Sequence, residues 1–142
     1  MSDIRILWID DEIDVLKPHI LFLEKRGYTV ATATNADDAL DMLEGGGFHL
    51  TFLDENMPGL SGLDALGHIK KLAPNMPVVM VTKSEEEDIM DRAVGAKIAD
   101  YLIKPVNPNQ ILLSIKKNLH EKELVSAGTT SAYQSDFAAI SA

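Results

Sequence analysis

The chain has 142 residues and no cysteine, and its 13 basic and 22 acidic side chains leave a formal charge of −9. That length suits one domain with a short tail, and it is enough chain to bury a core without covalent staples. The composition excludes disulfides, thiolate metal sites and thiol nucleophiles, and the acidity disfavours nucleic acid as a partner, which needs a basic footprint. No apolar run approaches the ~20 residues of a membrane span. Met1-Ser2-Asp3 does not open a secretory signal, so no membrane contact and a cytoplasmic location are expected.

Short apolar runs near residues 4–9, 28–33, 48–53, 77–82 and 99–103 read as strands, and helical patterns separate them. The first pattern puts Val15, Leu16, His19, Ile20 and Leu23 on one face and stops at Gly27. The second starts from an Asn35 cap, carries Ala36, Ala39, Leu40 and Leu43, and stops at Gly45-Gly46-Gly47. The third, behind a Ser61 cap, presents Leu63, Leu66, Ile69 and Leu72. The fourth begins after Ser84 with Ile89, Met90, Ala93 and Val94, and Glu85-Glu86-Glu87-Asp88 complements its dipole. The fifth starts at Asn107-Pro108 and carries Ile111, Leu112, Ile115 and Leu119. Strands alternating with helices predict an α/β fold, a doubly wound five-stranded parallel sheet with right-handed crossovers. Ala127-Gly128-Thr129-Thr130-Ser131 reads as a linker, and Tyr133, Phe137 and Ile140 recur beyond it at helical spacing. The expected division is therefore a domain over 1–123, then a linker and the start of a following helical element over 124–142.

Each of four strands ends on or before a chemically active residue: Asp10-Asp11, Asp54, Thr82 and Lys104. Functional groups gather at the carboxyl ends of strands in open parallel sheets. Three carboxylates in one crevice repel one another unless a cation joins them. Hard oxygen ligands without His or Cys suit Mg2+, which also contacts phosphate. Asp54 is then placed to act as a nucleophile toward phosphorus, Lys104 to hold a phosphoryl oxygen as a point charge, and Thr82 to donate a hydrogen bond. Phosphoryl transfer needs mainly positioning and charge neutralisation, which these groups supply.

Asp10-Asp11-Glu12, Asp54-Glu55-Asn56-Met57-Pro58-Gly59, Thr82 and Lys104-Pro105, in this order and spacing, resemble the receiver domain of two-component response regulators over about residues 4–122. The resemblance implies a CheY-like, flavodoxin-like (βα)5 fold with strand order 2-1-3-4-5. It implies Asp54 as phosphoacceptor, with Asp11, Asp54 and the backbone carbonyl of Asn56 as metal ligands and Asp10 acting through water. It also implies a cis peptide at Lys104-Pro105 and Tyr101 as a switch aromatic that moves with Thr82. The implied partners are a sensor histidine kinase or phosphotransfer protein, or a small phosphodonor, and a C-terminal effector domain or output protein. Phosphorylation-dependent homodimerisation is a further implication. The implied function is a phosphorylation-activated switch, not an enzyme beyond its own phosphorylation and dephosphorylation.

A narrower likeness is carried by Ile4 to Leu23, Asp54 to Gly62, Thr82 to Glu87 and Ile98 to Gln110. These stretches look like PorX-type regulators, which pair a receiver with a PglZ effector and are linked to type IX secretion. Two features depart from the receiver pattern. Lys83 follows the threonine where a small residue is usual, and mid-helix 5 reads Ile111-Leu112-Leu113-Ser114 where dimerising regulators carry basic residues.

Rival functions fit less well. A flavin or nucleotide binder on this fold needs a donor-rich loop after the first strand, where Asp10-Asp11-Glu12 would repel its phosphate. A hydrolase of the haloacid-dehalogenase type needs Asp-x-Asp at that place. A pseudo-receiver, a pure docking module, would not label with phosphate. Gly45-Gly46-Gly47 lacks the Lys-Ser/Thr ending of a phosphate loop, and His19, His49, His68 and His120 lack metal-ligand spacing.

Overall fold

The structure is a computed structural model that describes residues 3–120. The expected linker and following element over 124–142 lie outside the described residues. Five strands, β1 (Arg5–Ile9), β2 (Thr29–Ala33), β3 (Leu50–Leu53), β4 (Val78–Thr82) and β5 (Asp100–Ile103), form one sheet in the order 2-1-3-4-5. All pairs are parallel. The helices are α1 (Lys17–Glu24), α2 (Ala36–Glu44), α3 (Gly62–Leu72), α4 (Glu87–Gly95) and α5 (Pro108–Ile115), the last running into a π-helical turn over Lys116–His120. This is the flavodoxin-like fold expected from the sequence.

Strand alternation divides the core between the two faces of the sheet. Leu7 and Ile9 of β1, with Leu53 and Met80, pack against Ala39, Leu66, Ile69 and Ala93 from α2, α3 and α4. Ile6 and Trp8, with Phe52, Val79 and Val81, pack against Leu23 of α1 and Ile111 and Ile115 of α5. Covered on both faces, β1, β3 and β4 are almost wholly buried, which is why they read as continuous apolar runs. Trp8 is fully enclosed, with its ring 4.7 Å from that of Phe52.

The caps are where the sequence places them. Asn35 accepts from Asp38 N, Ser61 from Asp64 N, and Asn107 exchanges reciprocal bonds with Gln110. The first helical pattern differs from expectation. Pro18 sits in the first turn of α1, and the preceding residues Ile13–Leu16 form a 3-10 turn. The tighter winding rotates Val15 outward, to 69 % exposure, while Leu16 stays buried. In α4 only Ala93 is fully buried, and Met90 and Val94 face outward.

Candidate functional site

The register of the sheet assembles the site. Ile9 pairs with Leu53, Leu53 with Met80, and Thr82 with Ile103, so the four strands end along one edge. Backbone hydrogen bonds carry the ladder into the functional residues: Asp10 N to Ala33 O, Asp54 N to Ile9 O, and Lys104 N to Thr82 O, at 3.0, 3.0 and 2.9 Å. The side chains therefore stand on a framework fixed by the core.

Lys104 Nζ donates to Asp10 Oδ2 at 2.6 Å and reaches Asp54 Oδ2 at 3.4 Å. Asp10 and Thr82 are fully buried, Asp54 is 3 % exposed, and the Lys104 side chain is 12 % exposed. Burial pushes the Asp54 carboxyl above its usual pKa, and the Asp10 charge pushes the same way. A Thr82 hydrogen bond, the Lys104 charge and the Asn56 N–H pull against them without cancelling them. Burial alone would lower the Lys104 ammonium, but its hydrogen bond to Asp10 and the two carboxylate charges outweigh it, so Lys104 is held charged more firmly than usual.

Around this triad Asn56 works twice. Its N–H donates to Asp54 Oδ1 at 3.3 Å and its amide nitrogen to Thr82 Oγ1 at 3.4 Å. Thr82 Oγ1 also accepts from Ser84 N at 3.3 Å. Tyr101 is half-buried, and its hydroxyl donates to the Ser84 carbonyl at 2.9 Å, which links β5 to the loop that begins beside Thr82. The Lys104-Pro105 peptide is cis.

Asp10, Asp11 and Glu12 place carboxylate oxygens within 4.8 Å of one another. Asp11 and Glu12 are exposed, and Glu12 N–H donates to Asp10 Oδ1 at 2.8 Å. Asp54 is not one of these three; Lys104 joins it to them through Asp10. Lys83 is exposed, and its Nζ lies 3.5 Å from Glu12 Oε1. Both line a cavity of about 390 Å³ that also includes Lys104, Val15 and Val106.

Several contributors carry no assigned role in the sequence reading. Glu55 Oε1 accepts from Leu63 N at 2.8 Å, and its carbonyl accepts from Gly62 N at 3.0 Å. These bonds tie the Asp54 loop to the start of α3. Gly62 is needed there, because a Cβ would lie 2.3 Å from the Asp54 carbonyl oxygen. The Ser61 cap marks the helix start, but the contact back to Glu55 leaves no mark in sequence spacing. The histidines with described side chains play no part in this acidic cluster: His19 donates to the Val106 carbonyl, His49 accepts from Arg5 N, and His68 is exposed. The three-glycine turn precedes β3, at the opposite end of the sheet from the site.

Residues 6–116 match the response regulator receiver domain family. The chain belongs to that family. This receiver domain is a phosphorylation-dependent signalling switch. It is 41% identical over 120 residues to the alginate biosynthesis transcriptional regulatory protein AlgB of Pseudomonas putida, covering 84% of this chain and 27% of that protein. The receiver therefore spans about a quarter of the length of that curated relative. Among solved structures it is similar to a CheY-like response regulator receiver domain protein from Methanospirillum hungatei, with 34% identity and a TM-score of 0.82 over 86% of this chain and 98% of that one. A response regulator from Burkholderia pseudomallei, solved with a phosphorylated aspartic acid, calcium and citrate, is 29% identical with a TM-score of 0.75, over 88% of this chain and 74% of that one. The narrower likeness to PorX-type regulators finds no support in these relatives, and AlgB is named a transcriptional regulator.

Proposed function

We infer that Asp54 is the phosphoacceptor, and that the observation carrying this reading is the Lys104 ammonium bridging Asp10 and Asp54 at the strand ends. An Asp54 carboxylate oxygen attacks phosphorus, the new O–P bond forms, and the bond from phosphorus to the donor's leaving atom breaks. Lys104 holds one phosphoryl oxygen and Thr82 donates to another. The Burkholderia pseudomallei neighbour, with its phosphorylated aspartic acid, supports the same chemistry here.

The donor set fits Mg2+. The clustered oxygens of Asp10, Asp11 and Glu12 are hard ligands, and no His or Cys stands among them. In this reading Asp11, Asp54 and the Asn56 carbonyl ligate the ion, with Asp10 acting through water. When bound, the ion neutralises carboxylate and phosphoryl charge.

Thr82 and Tyr101 form the relay, supported by the Tyr101 bond to the Ser84 carbonyl two residues beyond Thr82. The phosphodonor is a sensor histidine kinase, a phosphotransfer protein or a small phosphodonor, in the cytoplasm; no described helix is long and apolar enough to cross a membrane. The likeness to AlgB favours a transcriptional output over a PglZ effector. Phosphorylation-dependent homodimerisation belongs to the same reading. Intact-mass measurement with a small phosphodonor and magnesium should show one phosphoryl addition that disappears in Asp54→Ala. Equal labelling of that variant refutes the assignment.

A further inference from the structure

Lys83 stands immediately after Thr82, and its ammonium spans from the loop after β4 to Glu12 on the loop after β1, 3.5 Å away. The pair lies on the wall of the cavity that also contains Lys104. Glu12 thus has two competing claims on one carboxylate. Its oxygen lies within 4.8 Å of those of Asp10 and Asp11, and its N–H is fixed to Asp10 Oδ1. The same carboxylate partners Lys83. The side chains of Lys83 and Glu12 are 67% and 49% exposed, so this is a weak, exchangeable ion pair rather than a structural one. A divalent ion held at Asp11 would draw on the neighbouring Glu12 carboxylate in competition with a single solvated ammonium.

We propose that Lys83 is a positioning residue that competes with the site cation for Glu12, so that cation binding frees the Lys83 ammonium at the mouth of the phosphoacceptor site. Freed there, it places a positive charge where an anionic phosphodonor enters, and such charge steers encounter. The proposal rests on the reading that the cation is held by Asp11 with Asp54 and the Asn56 carbonyl, beside Glu12. It adds Glu12 as a shared partner and Lys83 as its competitor.

The test is a magnesium titration by calorimetry on the full chain, without phosphodonor, at physiological salt. Wild type, Lys83→Met, Glu12→Gln and the double variant are compared. Lys83→Met should tighten magnesium binding by about twofold to fivefold, the range that an exposed ion pair represents. Glu12→Gln should weaken it, and Lys83→Met should then have almost no effect in the Glu12→Gln background. A second readout is amine acylation followed by peptide mass spectrometry. Magnesium should increase the reactivity of Lys83 in wild type and leave it unchanged in Glu12→Gln. An equal Lys83→Met factor in both backgrounds overturns the proposal, because Lys83 would then act only as a general charge. Unchanged affinity in Glu12→Gln overturns it too. Asp11→Asn separates the two readings: full affinity in that variant refutes the cation site itself, whereas loss of affinity with additive Lys83 and Glu12 effects refutes only the competition.

Discussion

Gly62→Ala tests how tightly the phosphoacceptor loop is clamped to α3. The added Cβ would lie 2.3 Å from the Asp54 carbonyl oxygen, 2.7 Å from Glu55 Cα and 2.9 Å from the Asp54 carbonyl carbon. All three are backbone atoms, so no side chain can swing aside. Restoring ordinary contact requires the loop and the helix to part by about 1 Å. That movement works against the Gly62 N–H bond to the Glu55 carbonyl and the Leu63 N–H bond to the Glu55 carboxylate. Overpacking of this kind costs about 2 kcal/mol, which lowers Tm by roughly 8 °C in a domain of this size. Because the displaced carbonyl belongs to Asp54, labelling should fall further than stability, by up to ~100-fold for a misplacement of about 1 Å. Gly67→Ala is the control: it lies in the same helix, exposed, and beyond the local helix backbone an added Cβ would meet nothing within 4 Å. It should stabilise by about 0.5–1 kcal/mol, since alanine costs less backbone entropy. Circular-dichroism melts and initial labelling rates by intact mass read both effects. A Gly62→Ala protein that melts and labels like Gly67→Ala would refute the clamp.

Further predictions concern charge and the relay. Asp54 has a native pKa above its unfolded value of 3.8, so between the two the native state binds more protons and stability falls as pH rises. Asp54→Asn should therefore raise Tm at neutral pH, with a gain that disappears as pH drops to the unfolded value. Lys104→Met leaves Asp10 and Asp54 facing each other unpaired, and should cost about 3 kcal/mol at neutral pH by urea denaturation. That loss should shrink in acid and on adding magnesium, whereas the wild-type contribution of Lys104 should persist until pH climbs past 10.5 toward its raised native value. Tyr101→Phe removes the bond to the Ser84 carbonyl, and should cost about 0.5–1 kcal/mol and accelerate amide exchange in residues 84–86.

The strands and caps were legible in the sequence because local chemistry determines them. The buried runs of β1, β3 and β4 are apolar on both faces, and Asn35, Ser61 and Asn107 cap through atoms a few residues away. The strand-end rule likewise located Asp10, Asp54, Thr82 and Lys104, because parallel strands share one carboxyl edge. What stayed hidden depends on contacts between loops. The Glu12–Lys83 pair joins residues 71 positions apart. Glu55 reaches α3 across eight residues. The outward turn of Val15 follows from a 3-10 winding that a regular 3.6-residue period does not describe. Of the histidines, only the absence of ligand spacing was readable; the His19 bond to the Val106 carbonyl spans 87 positions.

Strand order makes the site lopsided. Asp10 and Asp54 follow strands with neighbours on both sides, but Lys104 follows β5, which is hydrogen-bonded to β4 alone. Every residue of β5 is only half-buried. Border strands of this kind open at lower free energy than the interior. The two anions thus follow interior strands, and their counter-charge follows a border strand. A ligand that engages Lys104 bears directly on that border. A charge placed at the end of a central strand thus bears, through Lys104, on the border strand that carries half-buried Tyr101.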